Sequence, residues 1–483
     1  MSPPSGDRVP GYAAAGAQPG RGVGGVGGVG LAWATGPGLV WSLGAGLALL
    51  VVGGLAGRAD IAVLGVAPVL SGLWALWVRP RGEVWVDVHR AGGGQRGDDM
   101  PDEVAGDLAL DGQDLRVSRT PDGSLTARLS LAAPPGTEAV RLRVSRPGHP
   151  PVEALVDVPL TREIAVSASS VRTGPQPLFR VEHQGIGTGM HLTGPAVTRP
   201  AERILVLPQA RQMPALPLPS RLRGLSGQHE ARRLGDGGGL RDIHPFQPGD
   251  TLRRIDWRVT ARRSPDLHQL YVRRTLALAE AVVTLVVDSR DDVGPDPSTW
   301  SGVRAIRPDD ATSLDLARQA AATVAQGYLA VGDRVGVEDL GVHRRAVRPG
   351  TGRRQLDRVL HQLALLRPEG DPSRRVRPPH VPTGSLVYLF STFLDPEPAE
   401  LAQVWCRTGH RVVAVDVLPR VRRHALDARE RLALRIVQIE RQDRLAEVTG
   451  AGADLVRWVD PGAGVLLEQL ARQSHRRPPG GRR

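Results

Sequence analysis

The pattern of apolar and polar positions divides this chain into three regimes. Residues 38–57 run twenty positions without a charge, and 61–78 give eighteen more, each close to the roughly 20 an α-helix needs to cross a bilayer. Only Arg58, Ala59 and Asp60 lie between them, so the two runs predict a transmembrane helical hairpin. From 82 to 207 the pattern changes to short alternating runs at 84–88, 125–129, 140–144 and 154–158, which read as half-buried strands. Turn signals at Pro121-Asp122-Gly123 and Pro134-Pro135-Gly136 separate them, and the simplest architecture is a small antiparallel β-sandwich. The third regime alternates strand and helix. An apolar run at 281–288 reads as a strand covered on both faces. Thr312 with Asp315 then forms a capping box for a helix carrying Leu314, Ala317, Ala321, Val324 and Tyr328 on one face. Strands at 334–340, 386–391, 412–418 and 455–459 follow, interleaved with helices at 353–366, 399–408, 424–447 and a last one to about 473. Such alternation predicts a doubly wound, mainly parallel α/β sheet, in which ligands sit beyond the carboxyl ends of the strands. Asp288 lies at the end of the first.

This gives six segments: a Gly/Pro-rich tail over 1–37, the hairpin over 38–81, the sandwich over 82–207, a linker over 208–239, the α/β region over 240–475 and a basic tail over 476–483. The first tail cannot bury enough apolar area to offset its ordering entropy, so disorder is expected there. Pro208, Pro214, Pro217, Pro219 and the run Gly237 to Gly239 suggest the linker. Arg8 and Arg21 precede the first span and Arg79 and Arg81 follow the second, which by the positive-inside rule puts both outer flanks, and so the bulk of the chain, in the cytoplasm of a cell-membrane protein. Trp33, Trp41, Trp74, Trp77 and Trp85 fall near the span ends, where aromatic rings favour the interface. The competing readings are a secretory signal peptide, whose apolar run should start earlier, and a hairpin buried in a soluble core.

Charge changes the picture less than its size suggests. The formal net charge is +12, but there is no Lys, and arginines recur in every segment among interspersed acids. A nucleic-acid binder should gather its basic groups on one face, so nucleic acid is not the expected partner; DNA binding through the arginines of 253–274 would show steep salt dependence. The lone Cys406 excludes an intramolecular disulfide and suits a reducing compartment.

The densest stretch runs from 238 to 288. Pro248, Gly249 and Asp250 encode a tight, capped reversal. Asp250, Arg253 and Asp256, spaced by three, would stack carboxylate, guanidinium and carboxylate on one side of a helical turn, with the flat body of Trp257 covering them. Read blandly, this is a well-packed connector before a strand; read functionally, the arginine-rich surface of 253–274 is a docking face. The ordered set Leu240-Arg241, Pro245-Phe246, Pro248-Gly249-Asp250, Arg253, Ile255-Asp256-Trp257, Thr260-Ala261-Arg262 and then Val283 to Asp288 resembles the signature of the bacterial "domain of unknown function 58" family, over roughly residues 200–420.

The resemblance implies a von Willebrand factor A-like domain and a MoxR-type AAA+ ATPase as partner. Such a domain holds a divalent cation with an Asp-x-Ser-x-Ser loop, a Thr from a second loop and an Asp from a third, hard oxygens around a small octahedral ion. This sequence supplies Asp288 but places Arg290 and Asp292 at the two serine positions and Thr392 at the third-loop Asp, with Thr351 standing for the second-loop Thr. A degenerate metal site is therefore expected, with at most a weakly bound Mg2+ helped by Asp291, Asp296, Asp309 and Asp310. No Lys-bearing phosphate loop, His-x-x-x-His zinc spacing or Gly-x-Ser-x-Gly nucleophile turn occurs, and His229, His244 and His268 are scattered. The leading expectation is a non-enzymatic, membrane-anchored adaptor whose α/β domain binds protein partners with the ATPase in complex assembly or maturation. The alternative is a metal-dependent hydrolase centred on Asp288, Asp291 and Asp292.

Overall fold

The structure is a computed structural model that describes residues 33–90, 109–110, 113–114, 116–118, 124–158, 161–213, 215–223, 227–341, 346–368, 379–424 and 426–476. The expected tails at 1–32 and 477–483, and the turn at 121–123, lie outside the described residues.

The hairpin is formed by α1 (Pro37–Leu55) and α2 (Ala59–Trp77). Only 17% of each apolar window is buried, so these helices do not pack as the core of a soluble body. They meet through small residues seven apart. A Cβ on Gly65 would lie 2.5 Å from the Gly46 carbonyl oxygen, and one on Gly72 would lie 2.8 Å from Leu43 Cδ2, the close backbone approach that glycines permit between helices. The last residues of the expected disordered tail are in fact structured. Trp33 is buried among the sandwich residues rather than at a span end, its indole donating to Gly82 O at 2.8 Å.

Strands drawn from either side of the hairpin build the β-sheets of the next region. β2 (Trp85–Arg90), β6 (Ser124–Ala132) and β9 (Thr161–Ser169) make one antiparallel sheet. β1 (Ala34–Thr35), β12 (Leu192–Arg199), β11 (Arg180–Gly187), β7 (Thr137–Arg146) and β8 (His149–Asp157) make a second, in that spatial order. Val86, Leu129 and Leu131 of the first sheet share one buried cluster with Val140, Leu142, Val181 and Leu192 of the second, the alternating inner faces expected of two packed sheets. β10 (Gly174–Pro177), β13 (Arg203–Val206) and β5 (Arg116–Ser118) form a smaller third sheet, and β3 (Ala109–Leu110) pairs with β4 (Gln113–Asp114).

The expected linker is not one. Between Leu207 and Arg223 the chain lies along the body that follows: Ala210, Met213 and Leu216 pack on its core, Arg211 N donates to Thr323 Oγ1 at 3.0 Å, and the Tyr328 hydroxyl donates to Pro217 O. From His229 it is already strand. β14 (His229–Pro245) pairs antiparallel with β15 (Tyr271–Ala279) in a two-stranded arm that packs chiefly on itself. Its tip carries the short helix α3 (Trp257–Arg263).

A six-stranded sheet forms the last body, with β16 (Val282–Val287), β17 (Arg334–Asp339), β18 (Val347–Gly350), β19 (Leu386–Ser391), β20 (Arg411–Asp416) and β21 (Asp454–Arg457) arranged β18-β17-β16-β19-β20-β21. All neighbours are parallel except β18, which runs antiparallel to β17. Successive side chains point to opposite faces. Val283, Leu285 and Val287 pack with α4 (Ser313–Ala330), α5 (Gly352–Leu365) and α8 (Ala463–Arg476), while Val286, Val387 and Leu389 pack with α6 (Pro396–Arg407) and α7 (Ala428–Gly450). The expected capping box closes the start of α4 in both directions through Thr312 and Asp315.

Candidate functional site

The carboxyl edge of the six-stranded sheet gathers one polar residue per central strand: Asp339 after β17's valines, Asp288 after β16, Ser391 at the end of β19 and Asp416 at the end of β20. Each is spoken for within the chain. Ser289 Oγ donates to Asp339 Oδ1 at 2.6 Å, and Ser391 Oγ donates to Asp288 Oδ2 at 2.8 Å. Asp416 pairs with Arg441 and receives Leu418 N at 3.0 Å.

Arg290 decides the character of this edge. Its guanidinium, 4% exposed, donates from Nε to Asp288 Oδ1 at 2.8 Å, and its Nη1 lies 2.8 Å from Asp395 Oδ2 and 2.6 Å from Glu397 Oε2. Burial alone would lower its pKa, but the hydrogen bond and charge of Asp288, followed by the charges of Asp395 and Glu397, push it up. A permanently charged fork thus holds the carboxylate oxygens that a metal would need. The donor set does not fit a hard divalent ion. Among the described residues no group of three or more His, Cys, Asp or Glu is arranged to hold one.

The other expected ligands are not brought to Asp288. Thr351 follows β18, and because β18 is antiparallel, Gly350 sits opposite Val335 at the start of β17, whose partner in β16 is Val283. That places Thr351 at the amino edge, about 20 Å along the strands from Asp288. Asp292 turns instead toward Arg172 of the β-rich region, at 3.4 Å. Asp296 caps the turn at Pro297–Thr299 and Asp310 pairs with Arg422. Thr392 Oγ1 accepts the Leu394 amide at 3.3 Å. Asp291 remains close by with its carboxyl pushed up to about 6, by burial first and by Asp288 next.

The β-rich region also covers this edge. Arg172 Nε lies 2.8 Å from Asp315 Oδ2, while Thr173 donates from both N and Oγ1 to Asp315 Oδ1 at 2.7 Å. Arg318, fully buried, donates to Thr173 O at 2.9 Å and to the carbonyls of Leu363 and Leu366 at the end of α5. Sequence reading missed Arg172, Thr173, Ser391, Asp395 and Glu397. The only local signal was Asp395-Pro396-Glu397, an N-cap with proline in the first turn, and Asp395 does accept Glu397 N at 3.4 Å.

The signature residues lie in the arm, at the opposite edge. Gly249 adopts φ 99°, as the predicted reversal requires. The expected Asp250–Arg253–Asp256 stack does not form, because each carboxylate turns back toward the strands. Asp250 takes the Gln247 amide at 3.0 Å and faces Arg274 and His244, each at 3.6 Å. Asp256 caps α3 by accepting Val259 N at 3.1 Å and pairs with Arg273 at 3.0 Å. Thr260 is buried, its hydroxyl accepting Tyr271 N at 3.0 Å. Arg241, Pro248, Arg253, Trp257, Ala261 and Arg262 are exposed, so Trp257 covers no ion network. His229 is paired with Asp333 at the arm's root, at 2.9 Å.

These features define a chain with two helices long and apolar enough to span a membrane, β-sheets and a mixed α/β body. Residues 242–434 match the model of the family described as "Protein of unknown function DUF58". Comparison with curated proteins found no match.

Proposed function

We propose that this chain is a membrane-anchored adaptor: the hairpin holds it in the cell membrane, the body faces the cytoplasm, and the α/β domain binds protein partners in company with a MoxR-type AAA+ ATPase during assembly or maturation of other complexes. The observation that carries this reading is Arg290, seated among Asp288, Asp395 and Glu397 where a catalytic or adhesive cation would lie. With Arg290 occupying those carboxylates and Arg172 and Thr173 covering the edge, the reading gives the body surfaces for binding rather than an activated water. The sheet order, with its first strand in the middle and an antiparallel edge strand, supports the doubly wound, von Willebrand factor A-like reading. Arg79 and Arg81 after the second span support the cytoplasmic orientation. The hydrolase alternative needs Asp288, Asp291 and Asp292 to converge on one ion, whereas Asp292 pairs with Arg172. Purification of the full chain from solubilised membranes in ATP, ADP and a non-hydrolysable analogue should recover a MoxR-type ATPase in at least one state. Its absence from all three refutes the partnership.

A further inference from the structure

The arm draws little support from the rest of the fold. A two-stranded antiparallel pair is marginal on its own in water, and here it leaves the amino edge of the six-stranded sheet and packs chiefly on itself. Nine residues of β15 separate its root at Ala279 from its tip at Tyr271, a reach of about 27 Å. The tip exposes apolar side chains that a solitary surface would not favour: Leu252 is 68% exposed, Trp257 61% and Leu267 58%. Leu267 is held at φ 56°, a left-handed conformation that costs a bulky residue of order 1 kcal/mol or more. Its amide donates to Ser264 O at 2.9 Å, fixing the turn that presents it.

Charge at the tip is one-sided for a structural reason. Asp250 and Asp256 are turned back onto Arg274 and Arg273, while Arg253, Arg258, Arg262 and Arg263 are exposed around the apolar residues; among the described residues the exposed acids of the arm include Asp266 in the tip and Asp242 on β14, the latter beside Arg241. Arg258 and Arg262, four apart on α3, share one stripe, and Trp257 and Ala261 share the neighbouring one. Aromatic and arginine side chains side by side are the composition of binding hot spots.

We propose that the arm tip, centred on Leu252, Trp257, Arg258 and Arg262, docks an acidic surface of a partner protein that also offers an apolar recess for Trp257. This rests on the adaptor reading and names the surface it uses. A protein is favoured over anionic lipid because the arm roots at the amino edge, beside His229 and Asp333, whereas the β-rich region that carries the hairpin joins the carboxyl edge through Arg172 and Thr173. The tip therefore starts from the side of the body away from the apolar helices.

The test is photo-cross-linking of the full-length chain in its native membrane, with a benzophenone amino acid at position 257 and, as control, at Val303, which is 87% exposed in the loop after β16. The expected result is a protein adduct at 257 and not at 303, identified by mass spectrometry as an acidic polypeptide, its yield falling about tenfold or more in an R258E/R262E background. The proposal is overturned by an adduct that survives the charge reversal, by an adduct with phospholipid or with a second copy of this chain, or by no adduct at 257. Absence of any adduct at position 257 without the charge reversal, while the ATPase still co-purifies, defeats the arm assignment alone. An acidic adduct without the ATPase defeats the ATPase partnership and leaves the arm assignment standing.

Discussion

Replacing Arg290 with alanine removes the cation that three carboxylates share. The cost follows from how buried each partner is. Asp288 is 2% exposed at its side chain and Glu397 13%, whereas Asp395 is 39% exposed and its share is reduced by solvent screening. Breaking a buried ion pair by deleting one partner costs about 3–5 kcal/mol, because the remaining charge is stranded, and most of that loss falls on Asp288 and Glu397. A carboxyl buried without a counter-charge favours its protonated form. The penalty is therefore present at alkaline pH and shrinks as the stranded acids take up protons, so it should be larger near pH 8 than near pH 5. Urea unfolding of the full chain in detergent, followed by the buried Trp405 and Trp458 of the α/β body, measures it, and Arg290→Met beside Arg290→Ala separates lost charge from lost volume. An unchanged midpoint at pH 8, or an equal loss at both pH values, would refute the claim that Arg290 acts as the internal cation.

The remaining predictions use neighbouring features. Asp291, with its folded pKa pushed up to about 6 from 3.8, destabilises the fold as pH rises through that window, by up to about 3 kcal/mol above it; Asp291→Asn should raise the unfolding midpoint at pH 7.5 and leave it unmoved below pH 4. Millimolar Mg2+ or Mn2+ should not shift the midpoint of the wild-type chain, since binding at 100 times Kd would add about 2.7 kcal/mol and be plainly visible. Gly65→Val forces the two apolar helices apart, so cross-linking between L43C and G72C should fall; Gly54→Val, at a position where a Cβ meets nothing within 4 Å, should leave it intact. Gly174 has φ 81° and its Cβ would lie 2.9 Å from Arg318 Nη2, so Gly174→Ala should loosen the junction between the β-rich and α/β regions, read as faster amide exchange at Thr173 and Asp315.

Local signals were the legible ones. The capping box at Thr312 and Asp315 closes as expected because both partners lie within one turn, and the strand at 386–391 was bounded to the residue because a run buried on both faces needs no knowledge of its neighbours. The start of β14 reads as linker because Gly237 to Gly239 break any alternation and its partner strand lies beyond the tip. Thr351 was misplaced because four residues of edge strand, Val347–Gly350, carry no mark of direction. At the carboxyl edge the arginine in a ligand position was visible in the sequence. What it holds was only half so, because Glu397 sits in the first turn of α6, 107 residues away, and no spacing rule links the two.

The joint between α1 and the β-rich region bears on how far this protein can act. β1 runs straight into α1, its Thr35 paired with Leu192, while Gly36 N donates to His191 O at 2.7 Å and Ser71 of α2 meets the same histidine ring at 3.1 Å. With no slack residues at that joint, the chain stands as a post and not as a leash. On the adaptor reading proposed above, whatever it grasps must come to a fixed height, and lengthening this short connection with a few flexible residues would change which targets fall within range without altering a single binding contact.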